Sequence, residues 1–134
     1  MLLDFRTTPP ASTGEGARIA GLTGARFSRD HWVLSAGGEA VISFGCPAGP
    51  PLGRVTLVGA ARGAASAPVE IRMEANGTLV WTREGLPGRR TREMERFDIP
   101  RGVLRPGPNA LTVRNCGPAD TTYRLYKVCF EPLT

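Results

Sequence analysis

Lysine is all but missing from this chain: Lys127 stands alone against sixteen arginines. Histidine occurs once, as His31, and aromatic residues make up only 7% of the sequence. Each scarcity excludes something. Proteins selected for single-stranded nucleic acid mix both cations and interleave them with aromatic rings. The formal net charge of +5 therefore does not mark a nucleic-acid binder. Arginine without lysine, amid abundant Ala, Gly and Pro, reflects GC-rich bacterial coding instead, which weakens any reading of the charge as a partner signal. No apolar run approaches the ~20 residues of a membrane-crossing helix. The opening MLLDFRTTPPASTGEG has no basic region followed by an apolar core, which sets the expectation of a cytoplasmic protein. No CxxC joins Cys46, Cys116 and Cys129, so neither a zinc knuckle nor a redox dithiol is implied. A G-x-S-x-G elbow, a phosphate-cradling glycine loop and a dinucleotide fingerprint are all missing, and no cofactor is expected.

What the chain does hold is turns and alternation. Its 134 residues, 41% apolar and 22% charged, suffice to bury one core without metal or disulfide. Gly 17 and Pro 12 punctuate short period-two runs, and almost nothing has helical spacing. Val69, Ile71 and Met73 share one face, with Glu70, Arg72 and Glu74 on the other. Phe97 and Ile99 alternate with Arg96 and Asp98, and Leu111 and Val113 with Thr112 and Arg114. Strands are expected at His31–Ser35, Ala40–Phe44, Arg54–Ala60, Pro68–Ala75, Thr78–Arg83, Glu93–Ile99, Asn109–Asn115 and Thr122–Glu131. Asn76-Gly77 is a type I′ hairpin signal, since both residues tolerate positive φ. The parity break at Leu125-Tyr126 predicts a bulge. About eight antiparallel strands joined by Gly/Pro turns make an all-β sandwich or barrel over residues 26–134. Residues 1–25 read as a polar lead-in with one edge strand near Arg18–Leu22. Cys129 lies in an alternating apolar run and reads as a small core residue. All three cysteines are expected as thiols, with a Cys46–Cys116 bridge as the alternative.

The strand, Asn-Gly turn and strand of Val69–Trp81 resemble those of galactose-binding-like jelly-roll domains. Leu104, Gly107, Asn109, Leu111 and Val113 follow that family's recurring Leu-x-x-Gly-x-Asn-x-Leu-x-Val segment, and Tyr123–Phe130 is similar to its closing aromatic strand. The resemblance covers roughly residues 30–131. It implies an antiparallel β-sandwich of jelly-roll type, and carbohydrate binding of the kind performed by modules attached to secreted glycoside hydrolases. In that fold Leu104 plugs one end of the sandwich, Gly107 supplies a turn and the Asn109 side chain caps it. The family often carries a structural calcium. Glu39 and Glu131 are the acids that suggest themselves for it, and no metal is assigned.

The candidate contacts are Trp32, Arg72, Glu74, Trp81, Arg83, Asp120 and Tyr126. Arginine and carboxylate groups bond sugar hydroxyls in bidentate fashion, and aromatic rings stack on sugar faces. The competing reading of both tryptophans is core, because Trp32 shares parity with Leu34 and Trp81 with Leu79. Glu93 and Glu95, about 6.5–7 Å apart on one strand face, have a spacing that hydrolases use. The plainer reading pairs them with Arg92 and Arg96 on a wet face, as Glu70 and Glu74 pair around Arg72. The seven arginines of residues 83–105 stand against four acids and read as a solvated sheet face. His31 is expected at the surface or in a loop, with Asp30 pointing to the opposite side. Three functions stay open: a non-catalytic carbohydrate or glycoconjugate binder, which leads; an intracellular protein–protein assembly module using a sheet face or edge strand; and a small biosynthetic enzyme with a pocket in the β-scaffold.

Overall fold

The computed structural model describes residues 2–4, 17–46, 52–63, 69–85 and 93–133. These form nine strands, named in chain order β1 (Leu2–Asp4), β2 (Ala17–Ser28), β3 (His31–Cys46), β4 (Leu52–Arg62), β5 (Val69–Ala75), β6 (Thr78–Gly85), β7 (Glu93–Ile99), β8 (Gly107–Asn115) and β9 (Thr122–Leu133). All pairings are antiparallel. The ladder runs β6-β5-β8-β3-β9-β4-β7, with β1 added to β9 and β2 to β3. The segment expected as a lead-in thus supplies β1 and most of β2. The Pro9-Pro10 stretch and the Arg89, Arg90 and Arg92 cluster lie outside the described residues.

The continuous ladder folds into two facing sheets because β3 serves both. Its first residues, Trp32–Ser35, pair with β9, and Glu39–Cys46 pair with β8. Strand β2 follows the bend, its register jumping between Thr23↔Glu39 and Ala25↔Leu34. Glycines make the corner. Gly24 and Gly37 have φ of 56° and 76°, and a Cβ on Gly38 would lie 2.4 Å from the Gly24 carbonyl oxygen. One sheet is then β6-β5-β8-β3-β2 and the other β2-β3-β9-β4-β7. Their inner faces meet in one core, with Ile42, Met73 and Leu111 from the first against Leu57, Leu125 and Val128 from the second. Each fully buried side chain of this size contributes roughly 1.5–3 kcal/mol.

Alternation places side chains as the sequence implies. Val69, Ile71, Met73 and Ala75 are buried on β5 while Glu70, Arg72 and Glu74 face out. Asn76 and Gly77 both have positive φ, 51° and 82°, closing a two-residue hairpin. Leu104 is buried at its turn. Asn109 Oδ1 accepts from the Arg105 N–H at 2.8 Å, and its Nδ2 donates to the carbonyls of Arg105 and Gly107 at 2.7 and 3.0 Å. At the far end of β8, Asn115 is fully buried; its Nδ2 donates to the Leu34 carbonyl at 3.1 Å and its Oδ1 accepts from Gly117 N–H at 2.9 Å.

Several expectations need correction. A bulge at Val80 (Met73↔Trp81, then Glu74↔Leu79) breaks the parity of Leu79 with Trp81 and leaves Leu79 exposed. The bulge in β9 falls on Tyr126, between the pairs Val58↔Lys127 and Gly59↔Leu125, so that Val128 and Phe130 return to the core and Cys129 faces away from it. His31 is buried in β3, neither superficial nor in a loop. The three thiols are free. Cys46 pairs with Gly107, where β8 begins, and Cys116 follows Asn115, where it ends. At ~3.4 Å per residue they are far beyond disulfide reach.

Candidate functional site

The seven residues singled out from the sequence do not converge on one site. Arg72 and Glu74 lie on the outer face of β5, within a ladder of ion pairs. There Arg72 donates to Glu70 at 2.9 Å, and Arg114 binds Glu39 at 2.6 Å with Glu74 at 3.7 Å. Trp32 is buried in the core with its ring edge-on to Phe27 at 5.4 Å, and its indole N–H has no hydrogen-bond partner. That ring has little face to offer a ligand. Asp120 is exposed in the turn between β8 and β9. Tyr126 is buried against the His31 ring, centroids 4.8 Å apart.

Trp81 and Arg83 do come together, at the mouth of the sandwich where the edge strands β6 and β7 face each other. The Trp81 ring stacks on Phe97, 5.3 Å apart and 7° from parallel. Arg83 forms ion pairs with both Glu93 and Glu95; Arg92, one of the partners expected for them, lies outside the described residues. These contacts clasp the two sheets. The cavity behind them, floored by Val69, Ile71 and Tyr123, has about 30 Å³, room for a water or two and not for a sugar. Burial pushes the Tyr123 phenol well above its ordinary range, so it stays a neutral O–H there.

A larger opening lies on the outer face of the second sheet, beside the β2–β3 hairpin. Arg26 pairs across the ladder with Val33, and Val33 with Arg124, so the two guanidiniums flank the same valine. With strands ~4.8 Å apart, the two arginine backbones are roughly 10 Å from each other. Ser28 pairs with His31 on one side of this row, and Ser35 with Thr122 on the other. Arg29, at φ 59°, juts from the turn. Together Arg26, Ser28, Arg29, His31, Thr122 and Arg124 surround a pocket of about 290 Å³ over Val33. Asp30, beside it, lies 2.7 Å from His31 Nδ1. A carboxylate only accepts, so Nδ1 carries the hydrogen and Nε2 is the ring nitrogen left for a ligand. Among the described residues, no three acidic, histidine or cysteine side chains converge as a metal cage. Glu39 and Glu131 fall on different sheets, Glu39 being held by Arg114.

Sequence reasoning missed this pocket. Its cations come from β2, the turn and β9, and the charge count drew attention to residues 83–105 instead. The available signal was three scattered cations, Arg26, Arg29 and Arg124, and it needed the pairing of β2, β3 and β9 to become a site.

No protein-family model matches the sequence, and no curated protein matches it. Solved structures do match in fold. The carbohydrate-binding module CBM36 in complex with calcium and xylotriose superposes with a TM-score of 0.62 at 13% identity, over 98% of this chain and 99% of that one. A family 6 carbohydrate-binding module from Clostridium cellulolyticum in complex with xylose gives 0.61 at 13% identity, over 98% and 96%. A family GH115 4-O-methyl-alpha-glucuronidase gives 0.66 at 10% identity, covering 87% of this chain and 17% of the enzyme. The chain thus has an antiparallel β-sandwich fold of jelly-roll type, the architecture of these carbohydrate-binding modules.

Proposed function

We propose that this protein is a non-catalytic carbohydrate-binding module, and that Arg26, Ser28, Arg29, His31, Thr122 and Arg124 form its contacts. The observation that carries the reading is the 290 Å³ polar pocket on the sheet face. Its guanidinium, imidazole and hydroxyl groups offer directional bonds to sugar hydroxyls, and Val33 gives an apolar floor for a C–H face. The volume sits just under the ~300–1,000 Å³ of small-molecule sites, a fit for one sugar ring. The cavity behind the Trp81–Phe97 stack, at about 30 Å³, is no chamber for a substrate. Near-complete two-way overlap with modules solved with xylose and xylotriose supports the same reading. Of the aromatic residues first considered, Tyr126 has a part here, bracing His31 from behind.

Backbone-amide NMR titration with xylose and xylotriose, alongside a broad glycan array, tests the proposal. Saturable shifts at the β2–β3 hairpin and the start of β9 are expected, with dissociation constants on the order of 0.05–5 mM. A shallow site buries little area and must replace sugar–water bonds. A blank array together with an unperturbed spectrum refutes it.

A further inference from the structure

We infer that the pocket at the β2–β3 hairpin selects an acidic sugar, one whose ring carries a carboxylate or a sulfate ester. This inference rests on the carbohydrate reading of the same site. A neutral sugar needs donors and acceptors in comparable number, whereas this pocket is dominated by three guanidiniums, which only donate, beside two hydroxyls and an imidazole Nε2 that can accept. Among the described residues, no carboxylate forms an ion pair with Arg26, Arg29 or Arg124. That contrasts with Arg54, Arg72, Arg83 and Arg114, each of which faces a carboxylate elsewhere on the sheets. Arg62, on the neighbouring strand β4, lies next to this lining and outside it. It pairs across the ladder with Thr122, and its Nε is buried without a hydrogen-bond partner. Leaving a buried charged donor unpaired is costly, so an oxyanion that reached it would bind at a site already short of acceptors. The row Arg26–Val33–Arg124 sets two planar forks on either side of an apolar floor. A sugar ring on Val33 would present its oxyanion to one or both forks, the geometry in which arginine binds carboxylate and sulfate through paired N–H groups.

The test compares matched probes by NMR titration and calorimetry: glucose with glucuronate, N-acetylglucosamine with its 6-sulfate, and sodium sulfate alone. The acidic member of a pair is expected to bind about 10- to 100-fold tighter than its neutral partner, the range of one or two charge-assisted bonds. Added salt should erode the difference. Whichever acidic sugar binds tighter identifies the source of the oxyanion. Arg26→Ala and Arg124→Ala should each abolish most of the gain, with Arg105→Ala, an exposed turn residue, as the control. Arg124→Lys, which keeps charge and stem, should lower it in part by losing the fork, and covers the case in which an alanine variant fails to fold. Equal affinity for neutral and acidic sugars overturns the acidic selectivity and leaves the carbohydrate reading standing. Selectivity unchanged by the arginine variants overturns its location. Sulfate binding as tightly as the acidic sugars makes this a free-anion pocket and also overturns the inference. If no probe shifts any residue, both readings fall.

Discussion

Replacing Asn76 tests whether the hairpin at residues 76–77 is a local turn or a tertiary joint. A type I′ turn accepts Asn, Asp or Gly at its first central position, so a turn governed by local chemistry would lose less than about 0.5 kcal/mol on Asn76→Asp or Asn76→Gly. The structure predicts otherwise. Asn76 Nδ2 donates to the Val103 carbonyl at 2.9 Å and to Asn109 Oδ1 at 2.8 Å, and its Oδ1 accepts from the Ala110 N–H at 2.9 Å. Asn76→Gly keeps the positive φ and loses all three bonds. At a net ~1 kcal/mol each, the cost is about 3 kcal/mol. Asn76→Asp keeps the bond from Ala110 but turns a carboxylate oxygen towards two acceptors, the Val103 carbonyl and Asn109 Oδ1. It should cost at least as much as the glycine change. Against a total domain stability of ~5–15 kcal/mol, either loss is large and lowers Tm by roughly 10 °C. Urea unfolding followed by tryptophan fluorescence, with midpoints compared at a common m-value, measures both. If both variants unfold within about 0.5 kcal/mol of the parent, the joint to the Leu104 turn contributes nothing and the reasoning fails.

Two further outcomes concern the core and pH. Trp32→Ala should cost about 3–5 kcal/mol as a core truncation. Trp81→Ala should cost about 1–2 kcal/mol, since a half-buried ring loses chiefly its stack on Phe97. Equal losses in urea midpoints would mean that the sandwich mouth is packed as tightly as the centre. Burial raises the Cys46 and Cys116 thiols above 9.0 and the Tyr123 phenol above 10.0. The unfolded chain therefore releases these protons first, so the stability they contribute is complete below about pH 8.5 and falls above pH 9–10. The slope is ~1.4 kcal/mol per pH unit for each proton kept only by the folded state. Urea midpoints that stay level from pH 8 to pH 10.5 would contradict the burial of these groups. Denaturation without reductant should expose three titratable thiols, and a count of one would signal a disulfide.

The sequence by itself determined the class of fold, because its signals are local. Alternation on Val69–Ala75 and Asn109–Asn115 needs only the two-residue period of a strand, and Asn76-Gly77 and Gly107 need only their own φ. Tertiary structure decided everything that depends on which strands become neighbours. Bulges at Val80 and Tyr126 each shift parity by one residue, so Leu79 and Cys129, grouped with the core by sequence, came out facing away from it. The corner at Gly24, Gly37 and Gly38 passes β3 from one sheet to the other, and no local pattern announces it. The candidate site is wholly of this second kind. Arg26 and Arg124 are 98 positions apart in sequence and flank Val33 only because β3 pairs with β2 on one edge and β9 on the other. Arginines that looked clustered in sequence meet carboxylates across the strands, as Arg83 does with Glu93 and Glu95. Those that looked scattered converge, because antiparallel pairing sets distance by register and not by separation along the chain.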